Sequence, residues 1–116
     1  MVLSKDGIER IRDLTYDDMS DGAQGTDGTE SSEADTALGA EIVATNATLT
    51  LSKFTKGITI EHEVDIATGN SEDYREFGVE NAANLLFMRM VYPTFSKTAT
   101  DSMDTNVQLL FIQREV

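Results

Sequence analysis

The chain has 116 residues, with 21 Asp and Glu against 9 Lys and Arg, no Cys, no Trp and one Pro, for a formal net charge of −12. That length supports one domain with one modest core and leaves no room for a nucleotide-binding fold plus a substrate domain; the missing Cys removes disulfide frameworks, thiolate zinc sites and cysteine nucleophiles. The acidic balance repels phosphate backbones and no stretch approaches the ~20 apolar residues of a membrane span, so neither nucleic acid nor membrane is expected as a partner.

The opening residues, Met1-Val2-Leu3-Ser4-Lys5-Asp6, hold no cationic segment followed by an apolar one, and a soluble protein that is not Sec-exported is expected. Residues 4 to 15 are predicted as a short amphipathic helix. Ile8, Ile11 and Leu14 share one face at intervals of three, Ser4 stands at the N-cap, and Asp6 lies in the first turn, where the helix dipole favours it. Gly7 costs about 1 kcal/mol relative to Ala there, so docking must stabilise the helix.

From Asp13 to Ser52 there is no Lys or Arg, while Asp17, Asp18, Asp21, Asp27, Glu30, Glu33 and Asp35 crowd a stretch of Gly, Ser, Thr and Ala. Residues 17 to 40 therefore read as a long acidic loop or arm that is functional, disordered or ordered by a neighbour. An EF-hand reading fails, because Met19 and Gly28 occupy the third and twelfth positions counted from Asp17. No metal and no cofactor is expected.

Beyond the loop the period becomes two. Residues 42 to 51 read as one strand, joined through Lys53 to Gly57 to a half-buried antiparallel strand over 57 to 67, with Ile58, Ile60, Val64 and Ile66 inward and Thr59, Glu61, Glu63 and Asp65 outward. His62 shares the apolar phase and reads as a packed or interface histidine, since no second His or Cys completes a site. Residues 105 to 113 read as the last strand. Its apolar residues on both sides predict a central or interface position. Asn46-Ala47-Thr48 is a glycosylation triplet of low weight within a predicted strand.

Residues 74 to 92 form the most informative segment. A hairpin with a four-residue loop, Asn81 to Asn84, sets Glu76 opposite Arg89, Phe77 opposite Met88 and Gly78 opposite Phe87. Glu76 and Arg89 then read as a structural cross-strand ion pair rather than a catalytic dyad. Phe77, Val79, Leu86, Met88 and Met90 make the core face, and Tyr74, Leu85, Phe87 and Val91 the opposite one. One small domain cannot bury both, so the second face is expected to meet another chain.

Four segments in order, Asp35-Thr36-Ala37-Leu38-Gly39-Ala40-Glu41, Glu76-Phe77-Gly78-Val79-Glu80-Asn81, Leu85-Leu86-Phe87-Met88-Arg89 and Lys97-Thr98-Ala99-Thr100-Asp101-Ser102, resemble a family of small β-rich structural proteins of tailed viruses. The likeness runs from Gly7 to Phe111. It implies a virion component of the tail fibre, baseplate or capsid accessory type and no enzyme activity. Two departures stand out: the run Gly25-Thr26-Asp27-Gly28-Thr29 is more acidic than the family's, and Ile42-Val43-Ala44-Thr45 lacks the Arg that usually follows the position of Glu41. Together with the acidic composition, which resembles that of halophile proteins, the likeness points to a tailed virus of a halophilic archaeon.

The sequence thus predicts a single all-β domain, 1 to 116, an antiparallel β-sandwich of five to seven strands over residues 41 to 116 with a short N-terminal helix and a long acidic loop. The expected function is non-enzymatic: a homo-oligomer, trimer or pentamer, on the particle surface, as capsid decoration, turret, tail-tip, baseplate or fibre component beside other virion proteins. Glu76, Gly78, Leu85, Phe87, Arg89 and Val91, with Asp35 and Leu38 of the arm around Gly22 to Leu38, form the expected subunit interface. The alternative is a soluble cellular binding module whose acidic loop takes a ligand or cation.

Overall fold

The computed structural model describes residues 2–112. Helix α1 spans Lys5–Asp18, followed by β1 (Met19–Gly25), β2 (Glu41–Thr48), β3 (Thr50–Phe54), β4 (Gly57–Val64), β5 (Glu72–Asn81), β6 (Leu86–Lys97) and β7 (Met103–Leu110). The strands form two antiparallel sheets, one in the order β2-β1-β5-β6 and one in the order β3-β4-β7. Ser4 caps α1, its Oγ accepting from the Gly7 amide at 3.0 Å. The helix outruns its expected end and takes in Asp17 and Asp18. Only Ile8 of its apolar residues is buried; Arg12 and Tyr16 dock it instead, donating to the Phe54 carbonyl at 2.9 Å and the Leu51 carbonyl at 3.4 Å.

The largest correction concerns the acidic loop. Its first part is strand β1, paired with both β2 and β5 inside the four-stranded sheet, and only residues 26–40 connect it to β2. β1 has no hydrophobic alternation because neighbours fill its small positions. A Cβ on Gly22 would lie 2.7 Å from atoms of both His62 and Leu49. The strand expected over 42 to 51 is two strands, since the chain crosses between sheets at Leu49, which is buried. Strand β4 stops at Val64, leaving Ile66 exposed rather than inward. The last strand begins at Met103 and lies at a sheet edge, not its centre; Gln113, at its expected end, is outside the described residues.

Both sheets contribute to one core. Met19, Phe77 and Val79 of the four-stranded sheet meet Ile58 and Ile60 of β4, with Leu49 between, and Met88 and Met90 pack against the cluster. A second cluster joins Tyr74, Val64 and Met103, so Tyr74 belongs to the core and not to the outer face expected for it. Its hydroxyl donates to the Gly69 carbonyl at 2.6 Å, which explains how the phenol is tolerated there.

A polar network crosses this core. His62 Nε2 lies 3.0 Å from the Thr45 carbonyl, which can only accept, so Nε2 carries the proton and Nδ1 accepts from Gln24 Nε2 at 3.1 Å. Gln24 Nε2 also donates to Thr105 Oγ1 at 2.9 Å, and Gln24 Oε1 accepts from the Tyr92 hydroxyl at 2.7 Å. Five strands are tied by neutral groups, and among the described residues no buried side-chain polar atom lacks a partner.

Burial holds the His62 pKa below the ordinary 6.5, against the opposing pull of its bonds to Thr45 and Gly22. The unfolded chain therefore takes up a proton first as pH falls, and stability is expected to decline from about pH 6.5 downward until the folded imidazole titrates. Chemical denaturation across pH 5 to 8 checks this, with His62→Gln expected to remove the slope in that window. A ring titrating at or above its unfolded value by NMR would contradict it.

Candidate functional site

The β5–β6 hairpin is built around Asn81. Its Oδ1 accepts from the amides of Ala83 and Leu85, both at 3.0 Å, and Asn84 takes a left-handed conformation with φ of 61°. This turn is one residue wider than expected, and an irregularity between Val79 and Glu80 shifts the register again. Glu76 therefore pairs with Val91, Phe77 with Met90, Gly78 with Arg89 and Val79 with Met88. Because the slip is two residues there, Phe77, Val79, Met88 and Met90 keep the face expected for them. Glu76 and Arg89 become diagonal neighbours and still bond, Nε to Oε1, at 2.9 Å.

Around that pair the chain closes on itself. Glu76 is fully buried, and its carboxylate accepts from three backbone amides of the 26–40 segment: Asp27 and Ala40 on Oε2 at 2.9 and 2.8 Å, and Gly39 on Oε1 at 2.8 Å. Arg89 reaches the same segment through the Asp35 carboxylate at 3.3 Å and the Asp27 carbonyl at 3.2 Å. Thr26 N donates to the Ala40 carbonyl at 3.0 Å and shuts the base of the loop.

Bare glycines make these approaches possible. A Cβ on Gly25, the register partner of Glu76, would meet Glu76 Oε2 at 2.5 Å and the Ala40 carbonyl at 2.6 Å. One on Gly78 would meet Leu38 at 2.6 Å, and those on Gly28 and Gly39 would collide with Arg75 and with the Asp27 carboxylate.

Electrostatics follow from the geometry. Desolvation, the largest single influence on Glu76, raises its pKa, but the Arg89 bond and the amides of Asp27, Ala40 and Gly39 together outweigh it and hold the carboxyl below its ordinary value. Arg89 is raised, first by its bond to Glu76. Asp27 is lowered, chiefly by the Thr29 amide at 2.8 Å.

The structure thus brings together Glu76, Gly78, Arg89, Asp35 and Leu38, but beneath or within the chain's own loop rather than on a face left open to a neighbour. Arg89 is 4% exposed at its side chain and Leu38 is buried against Gly78. Val91 is half-buried, while Leu85 and Phe87 are 58% and 38% exposed. Phe87 does not cover Gly78, and Leu86 approaches that glycine from the outer side instead of joining the core.

Among the described residues no group of three or more His, Asp or Glu is placed to hold a metal. The acids at the start of the expected loop are dispersed, with Asp17 and Asp18 in α1, Asp21 in β1 and Asp27 in the 26–40 segment. Both ring nitrogens of His62 are engaged within the core. The residues that sequence reasoning missed are Gly25, Gly39 and Gln24; the pairing of small residues with a bulky charged neighbour strand is the signal that marks the first. No protein family, curated protein or solved structure matches the chain.

Removing one partner of a buried ion pair leaves an uncompensated charge, so Glu76→Ala and Arg89→Ala are each expected to cost about 3–5 kcal/mol, with the double variant far less than their sum. Denaturant melts of the four chains measure this; additive losses would mean that the two groups are not coupled. Gly25→Ala should reproduce much of the loss without altering a charge, and all three should speed proteolytic cutting within residues 26–40. Because the folded Glu76 pKa is depressed, its contribution is present above the unfolded carboxyl value, near pH 4.3, and is lost as pH falls through the folded one.

Proposed function

We propose that this chain is a non-enzymatic structural subunit of a tailed-virus particle, built to associate with copies of itself at the particle surface. The observation that carries the reading is where the resembling segments meet. Asp35, Leu38 and Gly39 from the first, Glu76 and Gly78 from the second, and Arg89 from the third are far apart in sequence and converge on one clamp. The fourth, Lys97 to Ser102, forms the turn between β6 and β7, with Thr98 Oγ1 donating to Asp101 at 2.8 Å. Residues of a shared family pattern are expected to cooperate in this way when the pattern encodes one structural device.

The clamp also suits a particle component. It converts a flexible acidic connection into a fixed outer surface, and a two-sheet sandwich with a sealed face is a rigid unit for repetition. Asp27 and Asp35 are occupied by Thr29 and Arg89, which favours a structural use of the loop over a ligand-binding one. Capsid decoration, turret, tail-tip, baseplate and fibre positions all call for closed symmetry, so the proposed assembly is a trimer or pentamer. Exposed Leu85 and Phe87 are the apolar groups beside the clamp available for such contacts.

Light scattering coupled to size exclusion, in molar and in low salt, is the test. Three or five times the 12.7 kDa of the chain is expected, with molar salt favouring assembly by screening the net charge of −12. Stoichiometric copies in purified particles would be the companion result. A monomer at every concentration, absent from particles, would overturn the reading in favour of a soluble cellular binding module.

A further inference from the structure

We propose that the free edge of β7 is a self-association surface, where two copies of this chain pair antiparallel across a two-fold axis and join their three-stranded sheets into one continuous sheet. The two sheets end in four edges, β2, β6, β3 and β7. Three of them carry devices that hinder strand addition. Strand β2 arches out of register, since Gly22 and Gln24 of β1 take Ala47 and Ile42, and Thr45 turns into the interior between them. Strand β6 bulges between Val91 and Phe95 against Glu76 and Tyr74, and the bulge holds Pro93, which has no N–H to offer. Strand β3 has five residues, carries the exposed Lys53, and has Arg12 of α1 bonded to its end at the Phe54 carbonyl.

Strand β7 has none of these devices. Its eight residues pair with β4 without a break in register and include no Pro, Gly, Lys or Arg. Its exposed positions are Asp104, Asn106, Gln108 and Leu110. Among the described residues no strand but β4 pairs with β7, and an edge of this length and regularity presents a row of N–H and C=O groups to an extended chain.

Charge selects a second copy as the occupant. The chain is strongly acidic, so most contacts between copies repel, but between Met103 and Ile112 the one charged residue is Asp104. A two-fold axis that keeps both inner faces on the same side must pass between identical residues. With Val107 at the axis, Asn106 faces Gln108 of the second copy, and the two Asp104 side chains stand six residues apart along the ladder. That is about 20 Å at ~3.4 Å per residue, beyond a Debye length of about 8 Å. Leu110 and Ile112, 48% and 71% exposed, lie along the same joined edge.

This inference rests on the self-assembly reading, and a charge swap separates the two. Light scattering of the full chain at about 0.15 M salt, where facing charges are little screened, would compare the wild type, Asn106→Asp/Gln108→Asp, Asn106→Lys/Gln108→Lys and an equimolar mixture of the two variants. The Asp pair is expected to weaken association at least about tenfold, because like charges then face each other twice, and the mixture is expected to restore it. Restoration requires folded chains, so loss through misfolding is distinguished from loss of the contact. A wild-type chain that stays at 12.7 kDa at all concentrations, or variants that keep the wild-type mass, would overturn the proposal. A dimer that the swaps dissociate keeps the β7 contact and removes the three- or five-fold reading; a trimer or pentamer that they leave intact does the reverse.

Discussion

A single buried carboxylate organises this protein's outer layer. Glu76 receives four hydrogen bonds, three from backbone amides and one from a guanidinium, and so satisfies the acceptor capacity of a charge taken wholly out of water. The amides come from both ends of the 26–40 segment, so one side chain fixes where the loop leaves β1 and where it enters β2. Arg89 then fixes its middle through Asp35. The glycines follow from this arrangement: Gly25 lies beneath the carboxylate, Gly78 beneath Leu38, Gly28 beneath Arg75 and Gly39 beneath Asp27. A composition that looks like a flexible linker is here a set of close approaches.

That inversion explains what the sequence hid. Order was legible wherever a segment buries its own side chains: the Ser4 cap, the alternation of Ile58, Ile60, His62 and Val64, and the mutual attraction of Glu76 and Arg89. Strand β1 was illegible because the interior it occupies is filled by side chains from elsewhere, Leu49, His62 and Phe77 over Gly22 and Glu76 over Gly25. Apolar burial counted along the chain misses a strand whose contribution is absence of bulk. The hairpin register failed for a different reason. Asn81 bonds two later amides and widens the turn, and the residue type alone does not say which later amides its side chain will take. Since the slip totals two residues, the faces were nonetheless assigned correctly for Phe77, Val79, Met88 and Met90.

The two polar systems divide the work of holding the sheets. The His62 and Gln24 network joins the inner faces with neutral groups, whose desolvation is offset by bonds among themselves; the Glu76 and Arg89 pair closes the outer face with charges. Their pH responses differ accordingly. The first is weakened by protonating a base kept neutral by burial, the second by protonating an acid kept ionised by its donors. Acid therefore strains the union of the sheets before it releases the loop. Gln24 and Glu76 are linked through Tyr92, whose hydroxyl lies 2.7 Å from Gln24 Oε1 and 3.3 Å from the Glu76 carbonyl, so disturbance of one system has a short route to the other.

Closure of the outer face also constrains how such a chain can meet others. With the 26–40 loop fixed over β1 and β5, the backbone of the four-stranded sheet is covered at its centre and bulged at both edges. The edges of the three-stranded sheet differ, its central strand β4 being flanked by the short β3 and the unguarded β7. The acidic surface disfavours contact between like chains, and the uncharged run from Thr105 to Ile112 lowers that penalty along the β7 edge. The same sequence thus restricts association in two ways, by sealing a face with its own loop and by leaving at the β7 edge a regular strand that carries little charge.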